Sequence, residues 1–443
     1  MPNKRGATLK VPVTLEVLGP PDLAAVSSLE FEMEWVLKGK FSPLVIEVTR
    51  GSNPKQGVSD VSVEWVVTAA GSTNVLSRDL TTTGAGGSVS ITLNFGEKPR
   101  AYTVTATCAV CVPTSVRFTV TAMEIQLALE KSSVLPRPLG PDMSDNQSKV
   151  TVKVLPVEYK HSKNREVTLK VIKAAGGGHD SGHVAPRPTG SVTNLVEGVP
   201  ARGACLTLES VNTDPDDPFS PTVLESPKAR GEIVTDIGTA IAGGVYTACE
   251  IGGTETIEAS IELMDDIATG TPIKNGRMIK KERTIRVEVP GLEPLPFSSN
   301  YIPTGEKPGV HPVGSNHFAL NGVNNKILKL TSEYLKLAKA KLRINDMSLV
   351  MGGVFDICAK WVHRAICDDA PVGGHGQHRT GNSVDISKSA VDQAGILVAV
   401  NRILLVEIIQ MREWMGCRMK EGPIHVEFDS VVFRANKSGW CFR

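Results

Sequence analysis

Short runs in which apolar and polar residues alternate recur from about residue 9 to residue 121. Examples lie at 61–67, 88–95 and 116–121, with turn-forming residues between them. Because successive side chains of a strand point to opposite faces, each run predicts a strand whose apolar face must be covered by a second sheet. Many short strands at this spacing are typical of a β-sandwich, which the pattern predicts for residues 1–122.

A second series of strand-like runs extends over residues 123–298 and has longer loops than the first. The alternating runs of this region lie at 149–154, 167–172, 256–263 and 284–289. Loops rich in Gly, Pro and Asp, at 176–183 and 212–221, separate them. The pattern predicts a second β domain with long loops.

One stretch of the second region resembles a known repeat. Residues 244–261 read Gly-Val-Tyr-Thr-Ala-Cys-Glu-Ile-Gly-Gly-Thr-Glu-Thr-Ile-Glu-Ala-Ser-Ile and resemble the closing strands of bacterial Ig-like repeats. The run Tyr102-Thr-Val-Thr-Ala-Thr is a weaker example in the first region. The resemblance implies two all-β Ig-like sandwiches, at 1–122 and 123–298, with a role in spacing, anchoring or adhesion.

The hydrophobic period changes after a proline-rich segment at residues 289–297. Beyond it, apolar residues recur every three or four positions opposite a row of lysines, which predicts an amphipathic helix containing Val323, Ile327, Leu330, Tyr334 and Leu337. A second helix is predicted over about 390–415, and short strands at 353–357 and 424–428. Residues 299–443 are therefore predicted to form an α+β domain.

The charge balance argues against nucleic-acid binding. Among 443 residues, 48 Lys and Arg face 47 Asp and Glu, and the net charge is +1. A nucleic-acid-binding protein would show a clustered basic excess. We therefore expect no nucleic-acid partner.

The sequence also predicts no membrane span and no secretory signal peptide. The first thirty residues lack a continuous apolar run, and the most apolar stretch, 395–409, is interrupted by Asn401, Arg402 and Glu407. That stretch is also shorter than the roughly 20 residues that span a bilayer. We expect a protein that is extracellular, periplasmic or particle-associated after release by a route other than Sec.

Two of the eight cysteines are close in sequence. Cys108 and Cys111 form a Cys-x-x-Cys in an apolar, strand-like context, without a second pair or a nearby His to complete a zinc site. We interpret them as buried or disulfide-bonded structural thiols, with metal or redox chemistry as the less favoured alternative.

A histidine and an aspartate near the C-terminus have the spacing of a metal site. His378 and Asp385 are seven positions apart with Gly381 between them, so the chain can fold back and place both on one metal. In the predicted strand 424–428, His425 and Glu427 share one face. Zinc accepts N and O ligands, and three protein ligands leave a position for water, as in catalytic zinc sites. A hydrogen-bonded or surface histidine is the alternative at each position.

The same residues resemble the zinc peptidases that cleave D-alanyl and related bonds in bacterial cell walls. The resemblance covers about residues 301–443 and includes the upstream segments Ile344-Asn-Asp-Met-Ser-Leu and Gly352-Gly-Val-Phe-Asp-Ile. The group contains D-Ala-D-Ala carboxypeptidases and murein endopeptidases and shares its zinc fold with the hedgehog signalling domain. By that match His378, Asp385 and His425 are the ligands of zinc, and peptidoglycan is the substrate.

The sequence departs from this family at the general base. Relatives commonly place a His two residues, or a Glu about three residues, before the last ligand, where this chain has Pro423 and Gly422. The nearest carboxylates are Glu421 and Glu427. We favour Glu421 as the base because the family's base lies upstream, and a solvated turn residue is the alternative.

The sequence suggests roles for three further residues in addition to the predicted ligands. His375, in a Gly-rich loop, is a candidate for substrate binding or an exposed histidine, and Arg379 is a candidate to pair with a substrate carboxylate or a surface residue. Asp346 is expected to hold the local backbone of a turn.

Two hypotheses of function follow. The first is a zinc-dependent peptidoglycan peptidase that hydrolyses a wall peptide bond with a metal-activated water and is positioned by Ig-like domains. The second is a non-catalytic binding or structural protein, at the cell surface or on a particle, whose zinc fold is inert. In either case the β domains are candidates to contact a phage particle or an injection machine.

Overall fold

The fold is known from a computed structural model that describes the greater part of the chain. The described residues are 19–27, 29–34, 44–51, 55–68, 76, 79–95, 98–137, 143–156, 166–179, 187, 189–194, 233–236, 241–266, 271–272, 277–305, 311–353, 365–367, 370–372, 376–387, 408–413 and 424–428.

The described secondary structure consists mainly of β-strands. In chain order, the first strands are β1 (Asp22–Ala25), β2 (Glu30–Glu34), β3 (Leu44–Arg50), β4 (Gln56–Gly57), β5 (Ser62–Thr68), β6 (Leu80–Thr82), β7 (Ser88–Ile91), β8 (Ala101–Thr107), β9 (Ser115–Leu129), β10 (Ser133–Val134), β11 (Gln147–Leu155), β12 (Glu166–Ala175), β13 (Ser191–Asn194) and β14 (Ile233–Asp236). The others are β15 (Ile241–Thr247), β16 (Gly253–Glu262), β17 (Met264–Asp266), β18 (Thr271–Pro272), β19 (Met278–Val287), β20 (Leu292–Pro294), β21 (Tyr301–Pro303), β22 (Phe318–Leu320), β23 (Leu342–Ile344), β24 (Ala365–Cys367), β25 (Ala370–Val372), β26 (Ser383–Ile386), β27 (Ile408–Glu413) and β28 (Ile424–Phe428). The helices are η1 (Met143–Asn146), α1 (Asn321–Ala338) and η2 (Gly376–Thr380), of which η1 and η2 are short 3-10 helices.

The chain divides into two compact units. The first unit comprises Met1–Glu124, Val154–Ser162 and Glu262–Ile279, and the second comprises Ile125–Lys153, Lys163–Ile261 and Lys280–Arg443.

In the first unit two sheets enclose one apolar core. One sheet has β3 paired with β1, β4 and β7, and the other contains β9, β8, β5 and β6 in that order. Inward-facing residues of both sheets, among them Ile46, Trp65 and Phe118, belong to the same buried cluster. The predicted alternation is confirmed, because Val63 and Trp65 of β5 and every second residue of β8 are buried. Cys108 and Cys111 lie in this core and form a disulfide, as the structural interpretation predicts.

The β-rich part of the second unit also contains two sheets. One joins β13, β15 and β11, and the other has the order β10, β19, β16, β12, β14. The predicted strands at 149–154 and 167–172 fall within β11 and β12, and the predicted strand at 284–289 overlaps the end of β19. These matches confirm a second β-rich region.

A buried carboxylate fastens a loop to these strands. Both side-chain oxygens of Glu255, on β16, accept the backbone N–H of Gly190, at 3.0 and 2.8 Å, and the hydroxyl of Tyr246 donates to one of them at 2.9 Å. Burial raises the pKa of Glu255 to about 7. The hydrogen bonds from Gly190 and Tyr246 and the charge of Arg187 each lower this pKa and so oppose part of the effect of burial.

The pKa of Glu255 predicts a pH dependence of stability. An unfolded glutamate releases its proton near pH 4.5, whereas folded Glu255 holds it up to about pH 7. The stabilisation is therefore complete below pH 4.5 and is lost as the pH rises through about 7, by about 3 kcal/mol. Urea denaturation between pH 4.5 and 8 should show this fall in the wild type but not in Glu255→Gln. Glu64→Gln, at an exposed position of β5, should keep it; parallel curves for the wild type and Glu255→Gln would contradict the assignment.

The C-terminal part of the second unit combines a helix with a mixed sheet. This C-terminal sheet has the strand order β21, β23, β26, β28, β27, with β21 and β23 parallel and the other neighbours antiparallel. Helix α1 buries Val323, Ile327, Leu330 and Tyr334 in the same core as Leu342, Ile344, Val384, Ile386 and Phe428 of the sheet. The predicted helix and the predicted strand 424–428 are confirmed.

The predicted helix over residues 390–415 is wrong at its C-terminal end. Residues Ile408–Glu413 form β27, which pairs antiparallel with β28 from Ile408 opposite Phe428 to Glu413 opposite Ile424. Pairing with β28 thus overrides the helical spacing of the apolar residues. The remainder of that predicted helix lies outside the described residues, as does the predicted strand 353–357 beyond Gly353.

Candidate metal centre

The first two predicted ligands lie on neighbouring elements and approach each other closely. His378 is on η2, Asp385 is on β26, and both side chains are buried. His378 Nε2 lies 3.3 Å from Asp385 Oδ1. The other ring nitrogen, Nδ1, lies 3.4 Å from Ser383 Oγ. The predicted fold-back of residues 378–385 is therefore present.

Gly381 makes this fold-back possible. It has a φ of +71°, a conformation that L side chains rarely adopt. A Cβ at this position would also lie 2.1 Å from Leu292 Cδ2. The turn between η2 and β26 therefore requires glycine.

The register of the C-terminal sheet brings the third predicted ligand to the same place. In the antiparallel pair of β26 and β28, Asp385 is directly opposite His425, and Ser383 is directly opposite Glu427. Directly opposite residues share one face of a sheet, with Cβ atoms about 4.5–5.5 Å apart. His378, Asp385 and His425 are thus placed together by η2 and two adjacent strands. The side chain of His425 itself lies outside the described part.

The spacing of the two described donors fits zinc. Two ligands at about 2.1 Å from a tetrahedral ion are about 3.4 Å apart. The Nε2–Oδ1 distance of 3.3 Å is close to that value. A second partner for the other ring nitrogen, here Ser383, is also common for zinc-bound histidines. The donor set of imidazole nitrogen and carboxylate oxygen therefore suits the ion that the family resemblance implies.

A second buried carboxylate adds negative charge at this site. Asp346 accepts side-chain N–H groups of Asn316 and Asn345, at 2.9 and 2.8 Å. Burial alone would lower the pKa of His378, but the charge and hydrogen bond of Asp385, together with the charge of Asp346, raise it above its ordinary value. The surroundings of His378 thus favour a cation, either a proton or a metal ion.

Asp346 has a larger role than the sequence predicts. Its backbone does hold local structure, since Asp385 N donates to Asp346 O at 2.7 Å. In addition, its carboxylate acts on His378 through space. The sequence shows only an Asn-Asp turn, and no spacing relates position 346 to 378.

The other predicted site residues have different outcomes. Arg379 is buried and its Nη2 donates to Glu250 Oε2 at 3.1 Å, so the guanidinium has a carboxylate partner within the chain. His375 and Glu421 lie outside the described residues. Glu427 lies in β28, two positions beyond His425 on the same face of the sheet. Contact of His375 or Arg379 with substrate, and a base at Glu421 or Glu427, stay predictions.

The register also aligns with His425 a residue that the sequence pattern does not associate with the site. Arg412, on β27, is directly opposite His425 on the side away from Asp385. Positions 385, 425 and 412 therefore form one row across three strands. The sequence assigned Arg412 to a helix, so the row could not be predicted.

Comparisons with known proteins give no family. No protein-family model matches this chain, and no curated protein matches it. Solved structures that align with it include the D0-D1 domain of intimin, at 16% identity and a TM-score of 0.19, over 60% of this chain and 97% of that one. The adhesin InvE of Yersinia pseudotuberculosis aligns at 11% identity and a TM-score of 0.20, over 62% of each chain. Activated Escherichia coli alpha-2-macroglobulin aligns at 13% identity and a TM-score of 0.19, over 60% of this chain and 22% of that one.

At these TM-scores the alignments carry no argument about function. The all-β character of the N-terminal regions stands on their own strands. The resemblance of the C-terminal residues to zinc peptidases stays a prediction. In the part of the chain that the structure describes, no helix has both the length and the apolar character to cross a membrane.

Proposed function

We propose that this chain is a binding or structural protein, at the bacterial cell surface or on a particle that contacts it, and that its C-terminal sheet holds one zinc ion. The observation that supports the proposal is the placement of His378, Asp385 and His425 together by η2, β26 and β28. The β domains would supply the contacts, with peptidoglycan or with a phage particle or injection machine.

Zinc would have a structural effect in this protein. The three proposed ligands belong to three elements, so binding one ion ties η2 to both strands. Such binding adds directly to folding stability, because the unfolded chain has no preformed site. It also balances the charge that Asp346 and Asp385 place around one imidazole.

A second candidate function is hydrolysis of a peptidoglycan peptide bond, and the position of Glu427 favours it. Zinc with three protein ligands supplies a water of lowered pKa and polarises a carbonyl. Position 427 shares the sheet face of positions 385 and 425, so a general base at Glu427 would accept the proton of that water and return it to the leaving amine. Ser383 Oγ lies beside Nδ1, the ring nitrogen of His378 that would not bind zinc, and would orient the ring.

One experiment with purified peptidoglycan separates the two candidates. The full chain is incubated with sacculi, the pellet is assayed for bound protein, and the soluble fraction is assayed for new amino groups and muropeptides. Binding without new products is the result expected of a binding or structural protein. New products that disappear in His425→Ala would establish hydrolysis instead. Absence of both binding and products would contradict peptidoglycan as the partner.

A further inference from the structure

Within the second unit, the turn at residues 249–253 packs directly against the elements that carry the metal site. Ile251 and Gly353 form an antiparallel bridge. A Cβ on Gly252 would lie 2.4 Å from Gly352 O, so the two backbones approach as closely as only glycine allows. The turn comes from the β-rich part of the unit, between β15 and β16, whereas Gly352 and Gly353 belong to the C-terminal part.

Arg379, the residue next to His378, is held by its main chain to Gly353 and by its side chain to the turn at residues 249–253. Gly353 N donates to Arg379 O at 3.0 Å. Arg379 Nη2 donates to Glu250 Oε2 at 3.1 Å, and the two side chains are only 3% and 18% exposed. An ion pair so shielded from water is stronger than a surface pair, because solvent screens it less.

We propose that Glu250 is a positioning residue for the metal centre: through Arg379 it holds η2, and with it His378, at the distance from Asp385 that zinc needs. The inference rests on the proposed zinc site and extends it into the β-rich part of the unit. It also gives Arg379 a role that differs from the predicted contact with substrate.

The physical reason is that the ion-paired residue and the proposed ligand are adjacent in the chain. Arg379 and His378 are consecutive residues of a five-residue 3-10 helix. A helix this short has few internal hydrogen bonds, so its orientation depends on what its side chains contact. Loss of the Glu250 charge would leave Arg379 buried beside a neutral group and allow η2 to shift. A shift of a few tenths of an ångström exceeds the tolerance of a zinc–ligand distance.

The test measures zinc affinity by competition with a chelating indicator, at a temperature well below unfolding. Glu250→Gln should weaken zinc binding about tenfold, the lower end of the effect of outer-shell partners. Glu258→Gln is the matched control, since Glu258 is a buried carboxylate of the same sheet region that pairs with Lys170 and Lys280 instead. It should leave zinc affinity unchanged. Arg379→Gln should match Glu250→Gln, and the double variant should add little to either.

A second measurement needs no metal. Amide hydrogen exchange of residues 376–380 in the metal-free protein should be about tenfold faster in Glu250→Gln, while α1 keeps its protection. Equal zinc affinity and equal exchange in Glu250→Gln and Glu258→Gln would overturn the inference. A wild type that binds no zinc would contradict the proposed function and overturn the positioning of a metal centre with it; faster exchange at 376–380 in Glu250→Gln would then show only that Glu250 holds η2.

Discussion

Asp385→Asn is expected to weaken zinc binding more than about 100-fold, because direct ligands matter more than the outer-shell groups whose loss costs 10–100-fold. The substitution keeps the shape of the side chain but replaces an anionic oxygen donor by a neutral amide. The carboxylate lies 3.3 Å from His378 Nε2 and directly opposite His425, at the centre of the proposed ligand set. Zinc content per chain, measured after dialysis against a weak chelator, gives the result.

The two histidine variants complete this prediction. His378→Ala and His425→Ala should each lose zinc as Asp385→Asn does, since two remaining ligands hold the ion poorly. Asp145→Asn, at a carboxylate of η1 outside the C-terminal sheet, should keep one zinc per chain. Full zinc occupancy in any of the three ligand variants would show that the residue concerned is not a ligand.

Glu427→Gln has the second large expected effect, and it applies to the hydrolytic candidate. If the chain cuts wall peptides, this variant should lower the turnover about 10²–10⁴-fold while retaining zinc, as loss of a general base does. The register supports this residue, because Glu427 lies opposite Ser383 on the face that holds Asp385 and His425. Two residues along a strand span about 7 Å, a distance that a glutamate side chain and a bound water together can bridge.

The control for this prediction is the residue favoured by the sequence. Glu421→Gln should keep the wild-type rate if Glu427 is the base, and it should lose activity instead if the family's upstream position is retained. Wild-type rates in both variants would mean that neither glutamate is the base. A wild type that cuts no wall peptide would leave the binding or structural role.

Local sequence patterns predict those elements whose spacing of apolar residues fits only one type of secondary structure. The period of Val323, Ile327, Leu330 and Tyr334 predicts α1, because a single stripe of that helix is buried. Strand β27 could not be predicted in the same way. Its apolar residues fit a helix as well as a strand, and only the partner strand β28 decides between them.

In the candidate site, too, the local contacts can be predicted from the sequence and the long-range contacts cannot. The seven-residue spacing of His378 and Asp385 around Gly381 is a local feature, and the sequence predicts their approach. Arg379 and Glu250 are 129 positions apart, and only the packing of the second unit brings them together. The sequence therefore assigns Arg379 to substrate or surface, whereas the structure gives it a carboxylate from the β-rich part.

X-ray absorption at the zinc edge of the wild-type protein tests the central claim most directly. We expect one zinc per chain with a first shell of N and O donors only, at about 2.0–2.2 Å, including the outer-shell scattering typical of imidazole. Six of the eight cysteines of the chain lie outside the Cys108–Cys111 disulfide and make sulfur the informative alternative. A shell containing sulfur at about 2.3 Å, or a protein that retains no zinc, would contradict the site at His378, Asp385 and His425.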